Sequence, residues 1–171
     1  MIVVQTERLT LRRLTTEDAG FMLEVLNDPS FVRYIGDRGV RTLEQSRDYL
    51  LKGPLDSYAR HGYGLYLVQL RDSEVPIGLC GLVKRDYLPA TDIGFSFLPA
   101  FWSKGYALEA ALAIKKHARG DAGLAQLLAI TSQDNAASIS LLKKLGFEFE
   151  RLITAPGETV EINLFTVELV R

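Results

Sequence analysis

The chain has 171 residues, 47% hydrophobic and 24% charged, with a formal net charge of −1. This is the composition of a single globular domain, spanning residues 1–171, that can bury a sizeable core. The near-neutral charge excludes a global field drawing the protein to nucleic acid or an anionic membrane, so any phosphate site must be built locally. One cysteine, Cys80, and two histidines, His61 and His117, leave no internal disulfide and no metal-ligand cluster of recognisable spacing. No stretch approaches the roughly 20 apolar residues that span a bilayer, so the expectation is a cytoplasmic, metal-free protein with no membrane partner.

In chain order, "VVQTERLTLRRL" is β-like. Residues 15–27 read as a helix, with Thr15 and Asp18 spaced as a capping box and Asp28-Pro29 as its stop. A second helix starts at Thr42, with Gln45 three residues on, and runs to about Arg60, kinked or split at Gly53-Pro54. The runs 63–70, 77–85 and 92–98 are meandering strands, separated by turn chemistry at Asp72-Ser73 and Pro89-Ala90. Residues 105–119 form a helix with Ala107, Ala110, Ala111, Ile114 and Ala118 on one stripe. Then come a strand at 125–132, a helix at 135–145 closed by Gly146, and two strands in "FEFERLI" and "VEINLFTVELV". The order β-α-α-β-β-β-α-β-α-β-β predicts an α+β fold with a mixed sheet.

Ser103-Lys104-Gly105 stands between a strand end at Leu98-Pro99 and a helix start. Up to four backbone N–H groups are unpaired there, and the helix dipole adds about half a positive charge. Gly105 permits close approach, so the turn can hold a diphosphate with Lys104 assisting, or it is a tight turn that merely needs a glycine. Downstream, in "SQDNAASISLLKKLGFE", Asn135 opens a helix whose inward stripe runs Ser138, Leu141, Leu142, Leu145. The Ser138 hydroxyl needs a partner, either a ligand or the carbonyl one turn back, and Asp134 or Asn135 can serve simply as a helix cap.

Together the two segments resemble the Gcn5-related N-acetyltransferase superfamily. Trp102-Ser103-Lys104-Gly105-Tyr106-Ala107 is similar to its pyrophosphate loop, and Glu109-Ala110 continues the match. Asn135, Ser138 and Lys144-Leu145-Gly146-Phe147 follow at the family's spacing. The opening "TERLTLRRLTTEDAGFMLEVLNDPSFVRYIG" resembles the branch acting on ribosomal proteins and other small substrates. The resemblance implies a mostly antiparallel central sheet flanked by helices, with acetyl-coenzyme A in a V-shaped opening between the strands at 92–98 and 126–131. Backbone groups around Phe97 and Leu98 would meet the pantetheine arm. The amides of Ser103, Lys104, Gly105, Tyr106 and Ala107 would cradle the pyrophosphate, and Asn135 and Ser138 would line the pantetheine and sulfur end. An amine acceptor, reached from the loop 28–41 and the hairpin around "APGETVE", and a homodimer through a sheet edge are implied by the same analogy.

Direct attack on a thioester needs a neutral amine, a donor to the oxyanion and a proton for the thiolate. The resemblance places Asp92 as the base, directly or through water, against the alternative of a strand-edge carboxylate. Many relatives carry a tyrosine acid where Leu142 stands; Ser138 is the candidate substitute here, and protonation of the thiolate by solvent is the alternative, coenzyme A thiolate being a good leaving group. Cys80, in "IGLCGLV", reads as a small core residue. The expected function is acetyl-coenzyme A-dependent N-acetylation of a primary amine. The alternatives are a non-catalytic acyl-coenzyme A-binding module, or an unrelated protein binding another phosphorylated ligand at the 103–107 turn.

Overall fold

The computed structural model describes residues 1–169; Val170 and Arg171, the end of the expected domain and, for Val170, of its last strand, lie outside them. The opening β-like run is two strands, β1 (Ile2–Gln5) and β2 (Leu9–Arg13), separated by a turn. Thr15 and Asp18 form both halves of their capping box, which starts a short 3-10 turn leading into α1 (Ala19–Asn27).

Beyond Asp28 the chain does not enter a loop but forms α2 (Pro29–Tyr34), with the Asp28 carboxylate accepting from Ser30 N. Proline ends a helix but is also well suited to start one, because the first-turn N–H it lacks has no intrahelical acceptor. The expected second helix is two: α3 (Leu43–Lys52), capped by Thr42 and Gln45, and α4 (Pro54–His61). Pro54 has no N–H to carry the ladder across Gly53.

Strands β3 (Leu65–Leu70), β4 (Pro76–Val83) and β5 (Asp92–Phe97) follow, then α5 (Tyr106–Gly120), β6 (Gln126–Thr131), α6 (Ala136–Lys144), β7 (Glu148–Ile153) and β8 (Ile162–Glu168). The eight strands lie in the order β1-β2-β3-β4-β5-β6-β8-β7. Every neighbouring pair is antiparallel except β5 and β6. Antiparallel neighbours need only tight turns, whereas a parallel step needs a crossover, and α5 supplies it. The α+β class and the mostly antiparallel sheet flanked by helices are as expected.

Both faces of the sheet are covered. On one, Ala110, Ala111, Ile114 and Ala118 of α5 are fully buried in a cluster with Cys80, Leu82 and Ile93. On the other, Met22, Val25 and Leu26 of α1 and Leu50 of α3 pack over Leu67 and Leu79. β4 is therefore buried along almost its whole length, which is why its sequence is a continuous apolar run rather than an alternating one. Cys80 lies within it with no exposed surface, and burial pushes its thiol pKa up, consistent with a small core residue. A Cβ on the adjacent Gly81 would come within 2.2 Å of the Gly64 carbonyl oxygen, so only glycine fits where the two backbones meet.

Candidate active site

β5 and β6 share a single Cα pairing, Asp92 with Leu128, and Leu128 N donates to Thr91 O at 3.0 Å. Beyond that point the strands have no ladder between them, so a wedge opens toward the C-terminal ends of β5 and β6. Which β5 groups face the wedge follows from its register with β4. Leu98 N donates to Ile77 O at 3.0 Å, and in an antiparallel pair such bonding alternates along the strand. Even-numbered residues thus spend their backbone groups on β4, and Phe95 and Phe97 turn theirs into the wedge.

This corrects the expectation for Leu98, whose amide is already committed. It also adds Phe95, which sequence reading missed. The Phe97 carbonyl accepts from the Trp102 indole at 2.7 Å, leaving the Phe97 N–H and both backbone groups of Phe95 facing the opening.

At the mouth, a 3-10 turn over Pro99–Phe101 leads to Ser103 and Gly105, both in the left-handed region with φ of 61° and 84°. Among the described residues, no amide from Ser103 to Leu108 donates within the protein; the first to do so is Glu109 N, to Gly105 O at 3.1 Å. No side chain caps the start of α5. A helix N-terminus with its donors unsatisfied beside an open wedge is a site for an anion, so the residues present fit the diphosphate of coenzyme A.

Ser103 holds a backbone conformation that costs a residue with a Cβ roughly 1 kcal/mol. Ser103→Gly is therefore expected to raise stability by about that amount, read as a shift in denaturation midpoint, and it leaves the main-chain donors of the loop in place.

Opposite this loop, the Asn135 side chain caps α6, its Oδ1 accepting from Ser138 N at 3.2 Å. Asn135 thus has the structural duty that the sequence left open for it. The Ser138 hydroxyl, half-buried, has no partner among the described residues and does not bond back one turn. Leu142 is fully buried, so the position where the resemblance implied an acid holds a core side chain.

Asp92 lies at the closed end of the wedge, on the face of the sheet away from α5, with 1% exposure. Arg85 Nε reaches its carboxylate at 3.2 Å. Burial pushes its pKa up to about 6, opposed by the Arg85 charge and hydrogen bond. Sequence reading missed Arg85, which follows β4 and reaches Asp92 because Val83 pairs with Asp92 across the hairpin.

On the side where the resemblance implied the acceptor, Arg33 of α2 lies 3.6 Å from Asp134 in the β6–α6 turn, both well exposed. Gln133 Nε2 donates to Glu161 O at 2.9 Å, tying that turn to the β7–β8 connection. Asp37 pairs with Arg41 at 2.6 Å, and this hydrogen bond holds the Asp37 carboxyl below the usual range. The carboxylates of the 28–41 loop are therefore spent on caps and ion pairs rather than gathered to receive a polycation. Among the described residues no helix is long and apolar enough to cross a membrane, and no cluster of His, Cys, Asp and Glu suits a metal ion.

Residues 8–148 match the family model of the acetyltransferase (GNAT) domain. The uncharacterized N-acetyltransferase p20 of Bacillus licheniformis is 26% identical over 173 residues, with 98% of this chain and 96% of that protein covered. YnaD of Bacillus subtilis, also an uncharacterized N-acetyltransferase, is 29% identical over 147 residues, covering 86% and 83%. In fold, the chain is similar to an acetyltransferase from Agrobacterium tumefaciens, with TM-score 0.80, 24% identity and coverage of 96% and 92%. It is also similar to RimL, a ribosomal alpha-N-protein acetyltransferase in complex with coenzyme A, with TM-score 0.83, 18% identity and 98% coverage of both chains. With a family model matching most of its length and a wedge and uncapped helix that suit the family's co-substrate, the chain belongs to the GNAT acetyltransferases.

Proposed function

We propose that this acyltransferase uses acetyl-coenzyme A to acetylate a primary amine, on a protein N-terminus, a peptide or a small metabolite, by direct attack of the amine on the thioester. The observation that carries the reading is the run of unpartnered amides from Ser103 to Leu108 at the mouth of the wedge. Acetyl-coenzyme A supplies an activated acyl group. The amides of Ser103, Lys104, Gly105, Tyr106 and Ala107 bind its diphosphate, and the inward-facing backbone of Phe95 and Phe97 aligns the arm. Asn135, while capping α6, flanks the sulfur end.

Asp92 is the base. A carboxylate whose pKa is raised to about 6 is mostly ionised at pH 7 yet basic enough to accept a proton usefully. Its enclosure means that the proton reaches it through water rather than by contact with the acceptor. Ser138, whose hydroxyl has no protein partner, serves the departing thiolate. An α-amine, with a pKa of about 8, is more readily neutral than a lysine near 10.4. The scarcity of free carboxylates in the 28–41 loop also speaks against a polyamine.

The test is free-thiol release from acetyl-coenzyme A over a panel of N-terminal peptides, amino acids and small amines. Turnover with a peptide or small amine well above hydrolysis is expected; silence across the panel defeats the reading.

A further inference from the structure

The turn between β1 and β2 grips the outside of the Ser103–Ala107 loop. Arg8 Nη1 donates to the Lys104 carbonyl at 3.0 Å and Arg8 Nε to Glu109 Oε1 at 2.7 Å. The Arg8 backbone N–H donates to Glu109 Oε2 at 2.9 Å, and the Thr6 hydroxyl donates to the same oxygen. The guanidinium also lies 4.4 Å from the centroid of the Tyr106 ring, and a Cβ on Gly105 would meet Arg8 Nη2 at 3.2 Å. One side chain thus touches the loop at successive positions.

Two consequences follow. In a trans peptide the C=O and the next N–H point in opposite directions, so drawing the Lys104 carbonyl toward Arg8 aims the Gly105 N–H the other way, among the unpartnered donors. Glu109 would set a negative charge in the first turn of the helix that holds the anion, and Arg8 neutralises it. Although burial pushes the other way, hydrogen bonds from Thr6 and Arg8 hold the Glu109 carboxyl below the usual range. The Arg8 side chain is 42% exposed and that of Glu109 19%, so the guanidinium's own share of fold stability is small, while Thr6 and the Arg8 backbone N–H also hold Glu109.

We infer that Arg8 and Glu109 form a latch that presets the Ser103–Ala107 loop for a diphosphate, making Arg8 a positioning residue for coenzyme A binding. This rests on coenzyme A being the ligand of that loop. The test is calorimetric titration of coenzyme A into the wild type, Arg8→Gln, Arg8→Lys, Glu109→Gln and the Arg8→Gln/Glu109→Gln double variant, each with its melting temperature.

Arg8→Gln is expected to bind at least about tenfold more weakly, a difference of about 1.4 kcal/mol, with its melting temperature little changed. Arg8→Lys restores only part, since a lysine cannot bond the Lys104 carbonyl and Glu109 in the same fork. The double variant binds more tightly than Arg8→Gln, because no carboxylate charge stripped of its guanidinium remains beside the phosphates. A purely structural salt bridge would not show that recovery. Wild-type affinity in Arg8→Gln, or a double variant no tighter than Arg8→Gln, overturns the latch; a wild type that does not bind coenzyme A overturns the functional reading instead.

Discussion

Replacing Gly105 by aspartate is expected to weaken acetyl-coenzyme A binding at least about 100-fold, roughly 2.7 kcal/mol, while the protein stays folded. Gly105 has a φ of 84° and lies at the start of α5. Aspartate tolerates the left-handed region better than most residues with a Cβ, and a carboxylate at a helix start is itself favourable. Stability therefore changes little. Binding is expected to change, because the new charge lies in the turn proposed to receive the diphosphate. Like charges about 5 Å apart at an effective dielectric of about 20 repel by about 3 kcal/mol per unit pair. Arg8 Nη2 is close enough to offset part of this, but its guanidinium is already bonded to Glu109 and the Lys104 carbonyl.

Gly105→Ala separates the contributions. It brings the strained φ and a 3.2 Å contact with Arg8 Nη2 but no charge, so its loss should be nearer tenfold. Calorimetric titration of the wild type and both variants measures all three affinities. Equal affinity in the wild type and Gly105→Asp would remove the phosphate from this loop.

The loop was legible in sequence because every signal it uses is local. A glycine, a helix start and the alanine stripe of α5 lie within a few residues of one another; of the stripe, Ala110, Ala111, Ile114 and Ala118 are fully buried and Ala107 is half-buried. The Thr15/Asp18 and Thr42/Gln45 capping boxes were legible for the same reason. What was not legible depends on contacts remote in sequence. The Arg8–Glu109 contact joins positions 101 residues apart, and nothing near Arg8 marks it as belonging to the loop. Whether Phe95 or Leu98 faces the wedge depends on the register of β5 against β4, which a one-residue slip would reverse. α2 was missed because the same Asp28-Pro29 pair that closes one helix opens the next. Sequence placed Asp92 at the head of its strand, but its 1% exposure and its contact with Arg85 depend on its pairing with β4 and β6.

That enclosure makes Asp92→Asn the most discriminating substitution in the chain. As the proposed base, Asp92 is expected to contribute about 10²- to 10⁴-fold to turnover, so the variant should lose kcat by that factor with its coenzyme A affinity retained. The wild-type rate should rise with pH through about 6, where burial places the carboxyl, since only the ionised form accepts a proton. The variant should lack that limb. Stability moves in the opposite direction. The folded chain holds the Asp92 proton to a higher pH than the unfolded chain does, so this group's stabilisation is full below the ordinary aspartate pKa of about 3.9 and is lost as pH rises through about 6. Asp18 and Glu109, whose pKa values are lowered in the fold, act with the reverse sign, losing their stabilisation as pH falls.

The difference between wild type and Asp92→Asn isolates the Asp92 contribution, because the other carboxylates are common to both. Asparagine leaves Arg85 without its ion pair, but the Arg85 side chain is 29% exposed and can turn to water. The variant should therefore fold and gain relative stability as pH rises from about 4 to about 6. If the pH slope of stability changes as expected while kcat and its pH limb do not, Asp92 is a buried partner for Arg85 and the amine loses its proton elsewhere. If both change together, one carboxylate sets the electrostatics of the sheet at the wedge's closed end and performs the proton transfer there.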